Sequence, residues 1–255
     1  MSHSKFLYAF IGLLAGCLVG FFAANTVNRH ELETTRGELA TLRESAGQRA
    51  PRDDGAAGNA TALKLTDDEI RNVLAKADTS PRDTAMQRKV GQGLYLYAAR
   101  MNRPELLPDA VRLLRRAWLS EPKDYDTTVL VGNALFDLGQ ADDPARLVEA
   151  RSFYEKALAV KPDDVNVRTD LGLTYYFAKP SDPRRAISEY RKSLALDARH
   201  EMTLQNLSAA LIATGAFAEA RQRIEELQGV DAANPALPNL RAQLAQVENA
   251  AKEQP

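Results

Sequence analysis

One cysteine, one tryptophan and three histidines are all that the 255 residues hold of those types. A lone Cys17 excludes an intramolecular disulfide framework and leaves the redox compartment open. His3, His30 and His200 have no partners at zinc-ligand spacing. There is no glycine-rich phosphate loop, no C-x-x-C-H haem attachment site and no Ser/His/Asp arrangement. The sequence therefore assigns no catalytic residue, no metal ligand and no cofactor, and it reads as a non-enzyme. An excess of one charge is missing too: 33 basic residues face 34 acidic ones, for a net charge of -1. Recognition of nucleic acid through a broad basic face is excluded on that ground. The acidic groups Asp67-Asp68-Glu69, Asp142-Asp143 and Asp163-Asp164 stand at expected helix starts, where they complement the helix dipole.

Long apolar runs are absent except at one place. Residues 6–28 contain no charged side chain, and Lys5 and Arg29 bracket them. A helix of 23 residues, with a rise of about 1.5 Å each, spans roughly 35 Å, more than the roughly 30 Å of a bilayer core. Residues 1–28 thus read as a single-pass membrane anchor of the uncleaved signal-anchor type. A cleavable secretory signal is the second reading. Its apolar region would be shorter, and Phe21 and Phe22 precede Ala23-Ala24 where a small residue is needed. A third reading is lipidation at Cys17, because Leu14-Ala15-Gly16-Cys17 resembles a bacterial lipobox; the apolar residues that follow count against it. Gly12, Gly16, Gly20 and Ala24 recur every four residues and form a smooth stripe on which a second membrane helix could pack, which makes the chain a candidate homo-oligomer.

Residues 29–45 read as a polar helical stalk, with Leu32 and Leu39 seven apart. Residues 46–63, rich in Gly, Ala and charged residues with Pro51 among them, read as a flexible linker. The repeat domain is expected over 64–252. Thr66-Asp67-Asp68-Glu69 has capping-box spacing before a short helix, and Ser80-Pro81 is expected to start the next.

Aligned on itself, the domain repeats. Val90-Gly91 with Leu94 matches Val131-Gly132 with Leu135, Leu171-Gly172 with Tyr175, and Leu207-Ser208 with Leu211. A second cluster follows in each unit: Ala110, Leu114 and Ala117; Ala150, Tyr154 and Ala157; Ala186, Tyr190 and Ser193; Ala220, Ile224 and Leu227. The units fall near 80–122, 125–162, 165–198 and 201–235, and a further helix over 238–252 is expected to cap the array. The pattern of Gly where helices cross, Tyr or Leu in the seam and Pro122, Pro162 or Pro235 at the junction resembles the tetratricopeptide repeat; Ser152–Asp164 carries the best match. The family's helix A tryptophan is absent, Ser208 replaces Gly, and Ala198 replaces Pro. The resemblance implies an all-α, right-handed helical-hairpin solenoid of about four repeats.

It also implies a partner groove lined by the first helix of each hairpin. By repeat position the groove residues would be Arg88, Gln92, Tyr95, Asn133, Phe136, Asn166, Thr169, Leu173, Tyr176 and Gln205. Amides in such a groove can bond an extended peptide backbone, and tyrosines can anchor side chains. Members that clamp a C-terminal carboxylate need lysines where this chain has Val129 and Asn166, so that specificity is not carried over. Arg112, Arg115, Arg116, Arg191 and Lys192 fall on second helices and read as a solvated outer face. The expected function is a membrane-anchored adaptor that binds a protein or peptide, with its repeats on the periplasmic side of a bacterial envelope. A cytoplasmic orientation is the alternative. The layout is similar to that of cytochrome c maturation accessory proteins, as one example. The competing function is a membrane scaffold that self-associates through the glycine stripe.

Overall fold

The computed structural model describes residues 65–252, residue 142 excepted. The predicted anchor, its glycine stripe, the stalk and the linker lie outside these residues. Among the described residues, no helix is long and apolar enough to cross a membrane. They form ten α-helices and one 3-10 turn, with no strand. They divide into two compact units, residues 65–160 and 161–252.

The first unit holds α1 (Asp67–Thr79), α2 (Thr84–Met101), α3 (Leu107–Ser120), α4 (Tyr125–Ala141) and α5 (Ala145–Val160). Thr66 caps α1 with both halves of a capping box: its hydroxyl accepts from Glu69 N, and the Glu69 carboxylate accepts from Thr66 N at 2.7 Å. Where the sequence suggested that α2 starts at Ser80-Pro81, it starts three residues later. Pro81 lies in a turn, and Asp83 is the cap, accepting from Met86 N at 2.9 Å. The intervening turn is held from within. Gln87 is fully buried, and its Nε2 donates to Ala77 O at 2.7 Å and Ser80 O at 3.0 Å. Two carbonyls at the end of α1 are satisfied in this way. Tyr97 ties down the chain entering α1: its hydroxyl accepts from Leu65 N at 2.9 Å and donates to Leu65 O at 3.2 Å.

Two hairpins, α2–α3 and α4–α5, bury the periodic apolar positions. Val90, Leu94, Leu113, Leu114, Leu135 and Ala150 are all at or below 1 % exposure. Each large side chain so buried contributes about 1.5–3 kcal/mol. Gly91 and Gly132 are the crossing points: a Cβ at Gly132 would lie 2.8 Å from the Tyr154 ring, and one at Gly91 would lie 3.0 Å from the Leu114 backbone nitrogen.

The second unit holds α6 (Val165–Phe177), α7 (Pro183–Leu196), α8 (Glu201–Ala213), α9 (Phe217–Val230) and α10 (Leu237–Lys252). Asp164 and Asp182 cap α6 and α7, and Pro183 takes the first position of α7. The crossing at Gly172 is the tightest, with a Cβ there falling 2.4 Å from the Tyr190 ring. In the next hairpin the smaller Ile224 holds the repeat position of Tyr190, and Ser208 holds that of Gly172. Both are buried, and the Ser208 hydroxyl is spent on Leu204 O at 2.7 Å. α10 packs on α8 and α9 through Leu237, Leu240 and Leu244.

The basic residues of the second helices do more than face solvent. Arg112 and Arg116 both reach Asp78 of α1, Arg115 pairs with Glu149 of α5, and Arg191 pairs with Glu219 of α9 at 2.7 Å. Lys192 pairs with Glu189 on its own helix, also at 2.7 Å. Asp78 is held below the usual carboxylate range by its two guanidinium partners. Apart from Lys192–Glu189, these pairs join helices two apart in the chain, α1 with α3, α3 with α5 and α7 with α9, a role that spacing along one helix does not reveal.

Candidate partner-binding face

The first helix of each hairpin (α2, α4, α6 and α8) carries the ten residues singled out by repeat position. In the first unit, Arg88 is exposed, and Gln92, Tyr95 and Asn133 are partly buried. Arg88 lies 3.5 Å from the Asp124 carboxylate. Asn133 is oriented from the second helix of its own hairpin: its Oδ1 accepts from the Tyr154 hydroxyl at 3.0 Å. In the second unit, Asn166 is exposed, and Tyr176 and Gln205 are partly buried. The Tyr176 ring meets Phe177 edge-on, with centroids 5.2 Å apart.

Three of the ten are interior. Phe136 is 4 % exposed, Leu173 is 2 % and Thr169 is 0 %. Phe136 and Leu173 gain more by leaving water than by facing a groove. Thr169 is consumed by an internal network: its Oγ1 donates to Val165 O at 2.8 Å and lies 2.6 Å from Thr203 Oγ1 on α8. These three residues lie beneath the surface of the first helices.

The network in the second unit extends to the surface. His200 precedes α8, with its Nδ1 2.6 Å from Thr203 Oγ1 and its Nε2 3.0 Å from Asn166 Oδ1. The amide oxygen of Asn166 can only accept, so Nε2 carries the hydrogen between them. Burial holds the His200 pKa below its ordinary value, against the opposing fields of Asp197, Asp164 and Glu201. Repeat spacing places His200 at a junction and says no more of it. In the fold it fixes the orientation of Asn166 on the candidate face.

Repeat position also missed Asp137. It stands four residues after Asn133 on α4, so the two share a helix face. It is partly buried, and the Tyr95 hydroxyl of α2 donates to its carboxylate. Burial outweighs that bond and pushes the carboxyl up to about 6. The helical step from Asn133 was the signal that could have found it. Among the described residues, no three His, Cys, Asp or Glu side chains gather into a metal-binding group. What the face offers is hydrogen bonding through amides, tyrosyl surface and one partly buried carboxyl.

No family model matches the chain. No curated protein matches it either. Solved structures do. A crystal structure of MamA is 18% identical, covering 71% of this chain and 96% of its own, with a TM-score of 0.52. MamA from Desulfovibrio magneticus RS-1, from residue 41 to its end, is 14% identical, covering 78% of this chain and 97% of its own, with a TM-score of 0.54. TTC0263, a thermophilic TPR protein of Thermus thermophilus, is 15% identical, covering 83% of this chain and 97% of its own, with a TM-score of 0.52. The helical hairpins of this chain thus have a TPR-like, all-α fold.

Proposed function

We propose that this chain is an adaptor that binds a protein partner through the solvent-facing side of its first helices and is held at a membrane by residues 6–28. The observation that carries the reading is the set of amides and tyrosines wholly or partly open to solvent on the first helices, Gln92, Tyr95 and Asn133 in the first unit and Asn166, Tyr176 and Gln205 in the second. Such a surface suits an extended peptide or a partner's helix. The TPR-like fold of the solved structures supports a binding role over a chemical one. The uncharged N-terminal run supports anchoring, and its layout ahead of the repeats supports a place in the bacterial envelope, with the repeats on the periplasmic side and complex assembly or maturation as the process.

The test is a comparison of two multiple variants of the full chain in cells. One carries Gln92→Ala, Tyr176→Ala and Gln205→Ala. The other carries Arg151→Ala, Glu155→Ala and Lys156→Ala on α5. Co-purified partners are quantified by mass spectrometry. The reading predicts that the first variant loses a specific partner that the second retains. Equal retention by both would sink it.

A further inference from the structure

We infer that His200 sets which end of the Asn166 amide the second unit shows to solvent: the carbonyl oxygen when the ring is neutral, the NH2 group when the ring is protonated. The consequence, a partner contact that acid reverses, rests on the adaptor reading above.

A chain of four short contacts runs from the interior of the second unit to its surface. Thr169 Oγ1 stands 2.8 Å from Val165 O and 2.6 Å from Thr203 Oγ1. Thr203 Oγ1 stands 2.6 Å from His200 Nδ1, and His200 Nε2 stands 3.0 Å from Asn166 Oδ1. At these distances each contact holds a hydrogen, or it sets two lone pairs against each other. Both ends of the chain are carbonyl oxygens, which bring no hydrogen. The two threonine hydroxyls bring one each, so the ring must bring the other two. The Ser193 hydroxyl, 3.3 Å from Thr169 Oγ1, lies outside the four contacts and supplies none of them. The arrangement is therefore that of the imidazolium, with both ring nitrogens donating.

A neutral ring leaves the chain one hydrogen short. The order of donors is fixed from the buried end: Thr169 donates to Val165 O, Thr203 to Thr169, and Nδ1 to Thr203. Thr169 and Thr203 are both 0 % exposed, so an unmade bond there is costly. Asn166 is exposed and can turn its amide over. Its Nδ2 then donates to Nε2 and supplies the missing hydrogen, and the carbonyl oxygen faces outward. Burial favours the neutral ring and outweighs the acids around it: Asp197 at the end of α7, Asp164 at the start of α6 and Glu201 at the start of α8. The arginines of the same elements are directed elsewhere. Arg168 of α6 is engaged by Glu189 and Pro162 O, and Arg199 reaches toward Gly229 O at 3.5 Å. The outward carbonyl thus prevails at neutral pH, and acid brings the NH2 group out.

The test is nitrogen-15 NMR of the full chain in detergent micelles, labelled at its histidines. The His200 ring signals are those lost in His200→Gln. In the neutral ring the hydrogen is expected on Nδ1. Thr203→Val keeps the shape and removes the hydroxyl that demands this hydrogen, so there the hydrogen should move to Nε2. A neutral wild-type ring with its hydrogen on Nε2, or a Thr203→Val ring the same as the wild type, overturns the inference and leaves the adaptor reading standing. The consequence is read on the protein that co-purifies with the wild type, washed one pH unit above and one below the His200 titration seen in the spectra. Retention by the wild type should fall roughly fivefold between the two washes, the loss of about one hydrogen bond, and retention by His200→Gln should not change. Unchanged retention by the wild type overturns the inference as a property of the binding face. Co-purification of no protein at either pH overturns the adaptor reading, and the ring assignment then stands or falls on the spectra.

Discussion

Gly172 shows how little room a single position has. Its missing Cβ would fall 2.4 Å from a ring carbon of Tyr190, which is itself fully buried. Gly172→Ala forces that ring to move within a packed seam and should cost about 1–3 kcal/mol, read as a drop in chemical-denaturation midpoint. The sequence disclosed this position, because Gly132 and Gly172 hold the same place in the first helix of their repeats and Tyr154 and Tyr190 the same place in the second. It also disclosed the exception, since Ser208 stands in the hairpin where Ile224 replaces the tyrosine. His200 was not legible in the same way. Its role depends on Asn166 and Thr203, which come from different helices, and no spacing within one helix shows that. The depressed pKa of His200 fixes the sign of a pH effect: the unfolded chain takes up the proton more readily than the folded one. Its contribution to stability is therefore complete above its ordinary pKa of about 6.5 and declines as pH falls through that value. His200→Gln should flatten this part of the profile. The measurement is the difference in melting temperature between wild type and variant from pH 8 to pH 5, and a difference that does not change with pH would contradict the assignment.

At the scale of elements, the caps were readable and the staples were not. Thr66 with Glu69 gave the start of α1 from four letters, because a capping box is a local pattern. The end of the same helix depends on Gln87, ten residues after Ala77, and a buried glutamine in an apolar seam carries no such signature. Gln87→Ala removes one of the two donors to each of the Ala77 and Ser80 carbonyls, whose remaining donors are Ser80 N and Asp83 N, and should cost about 0.5–1.5 kcal/mol for each bond lost. Hydrogen exchange should then show α1 opening ahead of α2 and α3, and uniform exchange across the three helices would argue against this local role. In the second unit, Arg168 lies 3.3 Å from Glu189, and the same guanidinium donates to Pro162 O at 2.6 Å. Both side chains are largely buried. Glu189→Ala would strand the arginine and should cost about 3–5 kcal/mol in unfolding free energy by urea titration. A loss below about 0.5 kcal/mol, the worth of an exposed pair, would show that the two side chains are solvated in solution.

For the whole molecule, the repeat was the most legible feature. A unit of two helices spelled four times leaves a period that survives substitution at any one site, and the described residues are all-α and TPR-like. The binding face was legible only in part. Repeat position names a helical stripe, but the depth of each residue depends on what packs beside it. Thr169 and Leu173 went inside for that reason, and Asp137 came to the face one step beyond Phe136. The placement of the repeats relative to the membrane is a separate proposal with its own test. A cysteine introduced as Gln254→Cys in a Cys17→Ser background should react in intact cells with a maleimide that cannot cross the inner membrane. Labelling only after permeabilisation would put the repeats on the cytoplasmic side.

The central claim is that partners engage the solvent-facing side of the first helices. Photo-crosslinking in living cells tests it most directly. A benzoylphenylalanine is placed singly at Gln92, Asn133, Tyr176 and Gln205, and for comparison at Arg151 and Lys156 on α5. The account predicts that the four face positions cross-link to one and the same protein and that the α5 positions do not. Cross-links confined to α5, or a face that captures nothing while the protein is folded and present, would contradict it.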